Sequence, residues 1–201
     1  MAESDGSILL TPVRLNWEAL YVNTDVLEQN GLTVPTSYEE LVAVCASLAQ
    51  KGVTPIANAL CEWSEITLDC AAMIGAPENQ YGQQPSLDGA KSVLTALTKV
   101  GAFGVDPWNL TDEDAENAFL EGVAAMRFDG SDLSELIGEA RQEHVAVVSL
   151  SGMDGQARAK LVGTPSYGLA ITRACWQDSA RREAALSLVA RLLTGDGAAV
   201  L

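Results

Sequence analysis

The stretch Tyr21-Val22-Asn23-Thr24-Asp25-Val26-Leu27-Glu28-Gln29-Asn30-Gly31-Leu32-Thr33-Val34-Pro35-Thr36-Ser37-Tyr38-Glu39-Glu40-Leu41 holds the signals that decide the fold. Thr24 is placed to cap a short helix over Asp25–Gln29, which Asn30-Gly31 stops. Pro35-Thr36-Ser37-Tyr38-Glu39 then reads as a helix start, with Thr36 as N-cap and Glu39 three residues on, the spacing of a capping box. Tyr38, Leu41, Val42, Cys45, Leu48 and Ala49 recur at helical spacing up to Gly52. Val53–Ala57 follows as a short strand, so helix gives way to strand within one supersecondary unit.

Reading outward, the alternation continues. Helices are expected from Ser64 to Gly75, Leu87 to Val100, Thr111 to Gly122 and Ser131 to Glu143, and from Asp178 to Leu193. Strands are expected over Val123–Asp129, Val145–Leu150 and Tyr167–Thr172. The last helix is expected to turn Ala185, Leu186, Val189, Leu192 and Leu193 inward. Strands interleaved with helices of this length imply an α/β domain.

The 201 residues are enough for a full core, and 48% are hydrophobic. Against 12 Lys and Arg stand 27 Asp and Glu, a formal charge of −15. So acidic a surface repels a phosphate backbone and anionic lipid alike. No apolar run is long enough to cross a bilayer, and the start Met1-Ala2-Glu3-Ser4-Asp5-Gly6 lacks the basic and apolar regions of a signal peptide. The cysteines Cys45, Cys61, Cys70 and Cys175 form no CxxC, and His144 is the single histidine, so no zinc site and no metal are expected. Cys45 and Cys70 read as small buried hydrophobes. The expectation is four free thiols, or at most a Cys61–Cys70 bridge.

No nucleophile elbow, phosphate loop or dinucleotide fingerprint occurs, and no cofactor is implied. His144 reads as a solvated charge at a helix end. Glu113, Asp114 and Glu116 sit in the first turns of a helix, where the dipole explains them. The remaining signal is aromatic: Trp17, Trp63, Trp108, Tyr81 and Tyr167 fall in or beside expected loops and element ends. A flat ring covers the apolar face of a sugar, and acceptor-rich acidic surroundings suit a neutral polyol better than an anion.

Several segments carry a resemblance. Tyr21–Leu41 resembles the "YYNKDLFEKAGLEVPTTWDEL" segment of the extracellular solute-binding proteins of ABC importers, family 1, the maltose/oligosaccharide-binding type. Lys51–Ala57 (KGVTPIA) is identical to a segment of that family. Gly122–Ser131 (GVAAMRFDGS) is similar to "GKAAMYIDGSW", Gly168–Thr172 to "GLAIS", and Ala184–Gly195 to "AAWEFLKFLTS". Five segments in order span nearly the whole chain.

The resemblance implies an incomplete lobe of the periplasmic-binding-protein-like (type II) α/β fold. By the same token 1–11 is a lead-in, 12–160 the second, C-terminal lobe, and 161–201 a crossover strand and helix that return to the first lobe. The family is two-lobed, so the first lobe's opening elements are expected before Met1 and a further segment after Leu201. Implied ligand contacts are Arg14, Asn16 and Trp17 on the crossover strand, Glu62 and Trp63 after the "TPIA" strand, and Thr164, Ser166 and Tyr167 in the turn before "GLAI". The Trp of "DGSW" is replaced by Asp132, which removes one stacking platform. The implied function is non-catalytic capture of an extracellular or periplasmic sugar for an ABC permease, by a protein anchored as a lipoprotein when complete. Implied partners are the sugar, the permease subunits, and the missing first lobe or a second copy. A glycosidase-like enzyme with paired carboxylates and a lobe kept as a protein-interaction module stand as alternatives.

Overall fold

The computed structural model describes residues 11–60, 65–75, 87–150, 153 and 163–194, with the backbone alone at 12–15, 65 and 163–166. The elements in order are β1 (Thr11–Asn23), α1 (Thr24–Gln29), α2 (Tyr38–Gln50), β2 (Thr54–Ile56), α3 (Glu65–Gly75), α4 (Leu87–Lys99), α5 (Asp112–Leu120), β3 (Ala124–Gly130), α6 (Leu133–Leu136), α7 (Glu139–Gln142), β4 (Val145–Val148), β5 (Gly163–Leu169), α8 (Arg173–Gln177) and α9 (Ser179–Leu192). The chain divides into two compact units. One is Trp17–Val162; the other joins Met1–Asn16 to Gly163–Leu201.

In the larger unit the strand order is β2-β3-β1-β4. β2 runs parallel to β3, with Thr54 opposite Ala124 and Ile56 opposite Met126. β1 runs antiparallel to both β3 and β4. Side chains alternate across a strand, so β1 feeds two cores. Leu20 and Val22 join Met126 and Phe128 under α2, α3 and α4, where Leu41, Cys45, Leu48, Cys70, Val93 and Leu97 are buried. Ala19 and Tyr21 face the other way, onto Ala115 and Phe119 of α5 and onto Leu133 and Ile137. Helices therefore cover both faces of the sheet, and β3 is buried from Ala124 to Asp129. Helices α3 and α4 meet backbone to backbone: a Cβ on Gly89 would lie 2.9 Å from the Gly75 carbonyl oxygen.

Several local expectations shift. The cap of α1 is Asn23, whose side chain accepts from Val26 N at 3.2 Å, while the Thr24 hydroxyl donates to the His144 carbonyl at 3.0 Å. The capping box at α2 moves by one residue. Ser37 Oγ accepts from Glu40 N, and Thr36 donates its N–H and hydroxyl to Glu40 Oε2 at 2.7 and 2.8 Å. These bonds hold the Glu40 carboxyl below its usual range. The helix expected over Ser131–Glu143 is instead two short ones, α6 and α7, because Ile137 leaves the helical region and Gly138 has an extended ψ of 150°.

In the smaller unit, β5 pairs with β1. The strand expected over Tyr167–Thr172 lies earlier, over Gly163–Leu169, and Thr172 instead caps α8 by accepting from Cys175 N at 3.3 Å. Asp178 caps α9 through bonds from Ala180 N and Arg181 N. The inward face expected for this last helix is not found: Leu186 and Leu193 are exposed, and α9 buries none of its residues. The described residues of this unit, two strand segments and two helices, are too little chain to enclose a core.

Candidate functional site

Because β2 and β3 are parallel and β1 antiparallel, the carboxyl ends of β2 and β3 meet the Trp17-Glu18 part of β1 at one edge of the sheet. The register fixes this, with Glu18 opposite Gly130 and Ala19 opposite Asp129. Open α/β sheets place ligands at this edge. Where β2 ends, the Asn58 side chain continues the ladder. Its Nδ2 donates to the Phe128 carbonyl and its Oδ1 accepts from Phe128 N, both at 2.9 Å. An amide can do both at once, so β3 stays satisfied after its neighbour strand has left.

Arg127 organises the polar half of the edge. It is 1% exposed. Nη1 donates to the Ala57 carbonyl at 3.2 Å, Nη2 to Asp112 Oδ1 at 2.9 Å, and Nε to Asp129 Oδ2. One guanidinium thus ties β2, the first residue of α5 and β3 together, the use for which its fixed fork of donors suits it. Burial works against its charge, but Asp129 and Asp112 outweigh this and raise its pKa. The other Asp129 oxygen accepts from Gly130 N at 2.7 Å, so both are engaged.

The apolar half is a column of rings. Trp17 stacks on Tyr21 with centroids 6.1 Å apart and planes 15° from parallel, and Tyr21 meets Phe119 edge-on at 6.5 Å. The Tyr21 hydroxyl donates to the Gly130 carbonyl at 2.9 Å. Burial first, then Asp129 and Asp132, push its phenol up. On the opposite face of β1 from the rings, half-buried Glu18 has its carboxyl pushed up to about 7, by burial first and then by the charges of Asp69 and Asp129. Ser131 Oγ, just past β3, is buried without a hydrogen-bond partner, a cost that an arriving polar group would relieve.

The residues expected to bind are distributed unevenly. Trp17 and Asp132 lie in the larger unit and both act on Tyr21, one by stacking and one by charge. Asp132 is exposed at the start of α6 and makes no side-chain capping bond. Asn16, half-buried, belongs to the smaller unit, as does Arg14, of which the backbone in β1 is described. Glu62 and Trp63 lie outside the described residues, as does Tyr81. Thr164, Ser166 and Tyr167 are not in a turn: all three are in β5, where Tyr167 is exposed.

Sequence reasoning passed over Glu18, Asn58, Arg127 and Asp129. One signal was available: Arg127 stands where the similar family segment has Tyr, an unpaired-looking cation inside an apolar strand that demands carboxylates. Trp17 lies within β1, on a strand as the resemblance implied, and not beside a loop as its place among the aromatics suggested. His144 is not merely solvated. Its Nδ1 lies 2.8 Å from Asp25 Oδ1, both side chains being half-exposed. Cys45 and Cys70 are buried free thiols, their pKa values raised by burial, and Cys175 is also free, so Cys70 forms no bridge to Cys61.

The sequence pattern of the bacterial extracellular solute-binding protein family matches residues 2–200, and the chain belongs to that family. A probable sugar-binding periplasmic protein of Rhizobium meliloti is 27% identical over 138 residues. That match takes in 63% of this chain and 33% of the relative, so the chain spans about a third of the curated relatives it matches. A probable secreted solute-binding lipoprotein of Streptomyces coelicolor superposes with a TM-score of 0.72 at 18% identity, over 98% of this chain and 53% of that one. Maltose-bound MalE3 of T. maritima gives 0.68 at 19% identity, again over 98% and 53%. The fold is that of periplasmic solute-binding proteins, and the chain corresponds to about half of such a protein. Among the described residues no helix is long and apolar enough to cross a membrane.

Proposed function

We propose that this chain is part of a non-catalytic binding protein that captures a neutral sugar or oligosaccharide outside the cytoplasm and presents it to an ABC permease. The observation that carries this reading is the edge itself. Half-buried Trp17, backed by the buried ring of Tyr21, stands where the carboxyl ends of β2 and β3 bring Asn58 and Asp129, with Glu18 on the other face of β1, and its ring is an apolar surface of the kind a pyranose lies on. Family membership and the relatives' names support it. Residues 12–160 are read as the second lobe and 161–201 as chain that in this family returns to the first, and the complete protein would close over its solute by hinge motion. Arg14, Asn16, Trp17, Glu62, Trp63, Asp132, Thr164, Ser166 and Tyr167 are the proposed contacts. Anchoring of the complete protein as a lipoprotein belongs to the same proposal.

A glycosidase reading draws on one observation, the raised carboxyl of Glu18 near Asp129. Such an enzyme needs a second carboxylate free to attack or to activate water. Asp129 has one oxygen on Arg127 and the other on its own neighbour's N–H, so binding is the better reading. Titration with maltose and chitobiose tests it. Saturable binding without release of reducing ends supports the proposal; steady release would favour the enzyme.

A further inference from the structure

The loop between α4 and α5 holds an aromatic ring that the core does not use. Trp108 is 61% exposed, in a protein where most large apolar side chains of this unit are buried. The loop is nevertheless well fixed. Ile56 N donates to the Ala102 carbonyl at 2.8 Å, and Leu60 N to the Pro107 carbonyl at 3.0 Å. Gly104 has a φ of +77°, and a Cβ there would lie 3.4 Å from the Thr54 methyl, so the turn hugs β2. Asn109 Nδ2 donates to both oxygens of Asp106, at 3.1 and 2.9 Å, which closes the loop around Pro107 and Trp108. Three residues on, Thr111 caps α5, and Asp112 reaches Arg127.

These anchors set where the ring stands. Pro107 is tied to Leu60, just beyond the carboxyl end of β2. Asp112 is tied through Arg127 to Ala57 and Asp129, at the carboxyl ends of β2 and β3. Trp108 therefore lies between two attachment points on the same edge that carries Trp17, Glu18 and Asn58. Its polar neighbours Asp106, Asn109 and Asp112 are all exposed. A ring on a prefixed loop loses little conformational entropy when something flat lies on it.

We propose that Trp108 is a stacking platform for one ring of the bound sugar, supplying on the α4–α5 loop the aromatic face that Asp132 withholds after β3. This rests on the sugar-binding reading above. It makes Trp108 a specificity residue: it favours a solute long or broad enough to reach from the Trp17 column to the loop. An exposed Trp between carboxylates and an amide matches a neutral pyranose, whose apolar face and hydroxyls need both.

The test uses the 201-residue chain with maltose and chitobiose as probes, followed by the indole N–H resonances in two-dimensional NMR. The expected result is a saturable shift of the Trp108 indole signal. Trp108→Ala should weaken binding about tenfold, the order seen for a lost aromatic stack, and Trp108→Phe should recover most of it. The melting temperature should hardly change, since the ring is exposed. If Trp108→Ala binds as the wild type does while Trp17→Ala does not, the proposal fails and the sugar reading stands. If neither sugar shifts any indole signal in the wild type, the sugar reading fails and takes the platform with it.

Discussion

Replacing Arg127 by Met removes one guanidinium and leaves Asp129 in the sheet without its partner. The side chains of Arg127 and Asp129 are 2% and 11% exposed, whereas that of Asp112 is 53% exposed. Asp112 can return to water, but Asp129 cannot. Breaking a buried pair by deleting one member costs about 3–5 kcal/mol, chiefly for the charge left behind. Asp129 keeps its bond from Gly130 N, which places the expected loss near the low end, about 3 kcal/mol. Asp112→Asn should cost under about 1 kcal/mol, as an exposed partner does. Urea unfolding of the four members of an Arg127→Met, Asp129→Leu cycle measures the coupling directly. The double variant should recover much of the loss, because an apolar pair replaces an ionic one. A single Arg127→Met variant within about 1 kcal/mol of the wild type, with no coupling to Asp129, would refute the reasoning.

Two further expectations concern the same edge. Glu18 has a folded pKa of about 7 against an ordinary 4.5, so the folded state holds the proton longer than the unfolded one. Stability should therefore fall as pH rises from about 4.5 to about 7, by roughly 1–2 kcal/mol after allowance for the part of the carboxyl that water reaches. Glu18→Gln should flatten this slope in melting curves; an unchanged slope would remove Glu18 as its source. Asn58→Ala strips Phe128 of a buried donor and acceptor pairing at once and should cost about 2–4 kcal/mol by chemical denaturation, whereas Asn58→Asp should restore only the bond from Phe128 N.

The sequence made some of this legible and hid the rest for physical reasons. Helix α2 announced itself because its buried residues Leu41, Val44, Cys45 and Leu48 sit on one face and a polar pair caps it. The short strand β2 showed between Gly52 and Asn58 for the same kind of reason. Strand β1 did not show by alternation, since Ala19 to Val22 are buried on both faces and Glu18 lies within the run. Its presence came from the family resemblance. Strand β5 was placed too late, over Tyr167–Thr172, because the resemblance put a turn at Thr164–Tyr167, where the chain is already extended through Pro165, a residue a strand tolerates at an edge. The stretch Ser131–Glu143 read as one helix because its polar residues are good helix formers, and Gly138 was underweighted.

At the candidate site the sequence reading named Trp17 and Asp132 but not Glu18, Asn58, Arg127 or Asp129. Trp17 was a candidate from its aromatic ring near an expected element end and from the crossover strand that the resemblance implies. Asn58 and Arg127 matter through partners 15 to 70 residues away, which no local pattern states, and Asp129 matters through Arg127, two residues before it on the same face of β3. Glu18 acquires its raised pKa only in the folded chain, through burial first and then through the nearness of Asp69 on α3 and Asp129 on β3. Tertiary contacts of this kind are read from the register of the sheet, not from spacing along the chain.

The central claim is that the carboxyl edge of this sheet is one wall of a sugar-binding cleft. Amide chemical-shift mapping of the 201-residue chain against maltose and chitobiose tests it most directly. One wall supplies only part of the contacts a two-sided cleft would give, so the affinity should be of millimolar order. The predicted result is saturable shifts confined to Trp17, Glu18, Asn58, Trp108, Asp129–Asp132 and the other proposed contacts Arg14, Asn16, Glu62, Trp63, Thr164, Ser166 and Tyr167, with no change at the His144–Asp25 pair. Shifts at other surfaces, or none with either sugar at about 50 mM, well above a millimolar dissociation constant, would contradict the account.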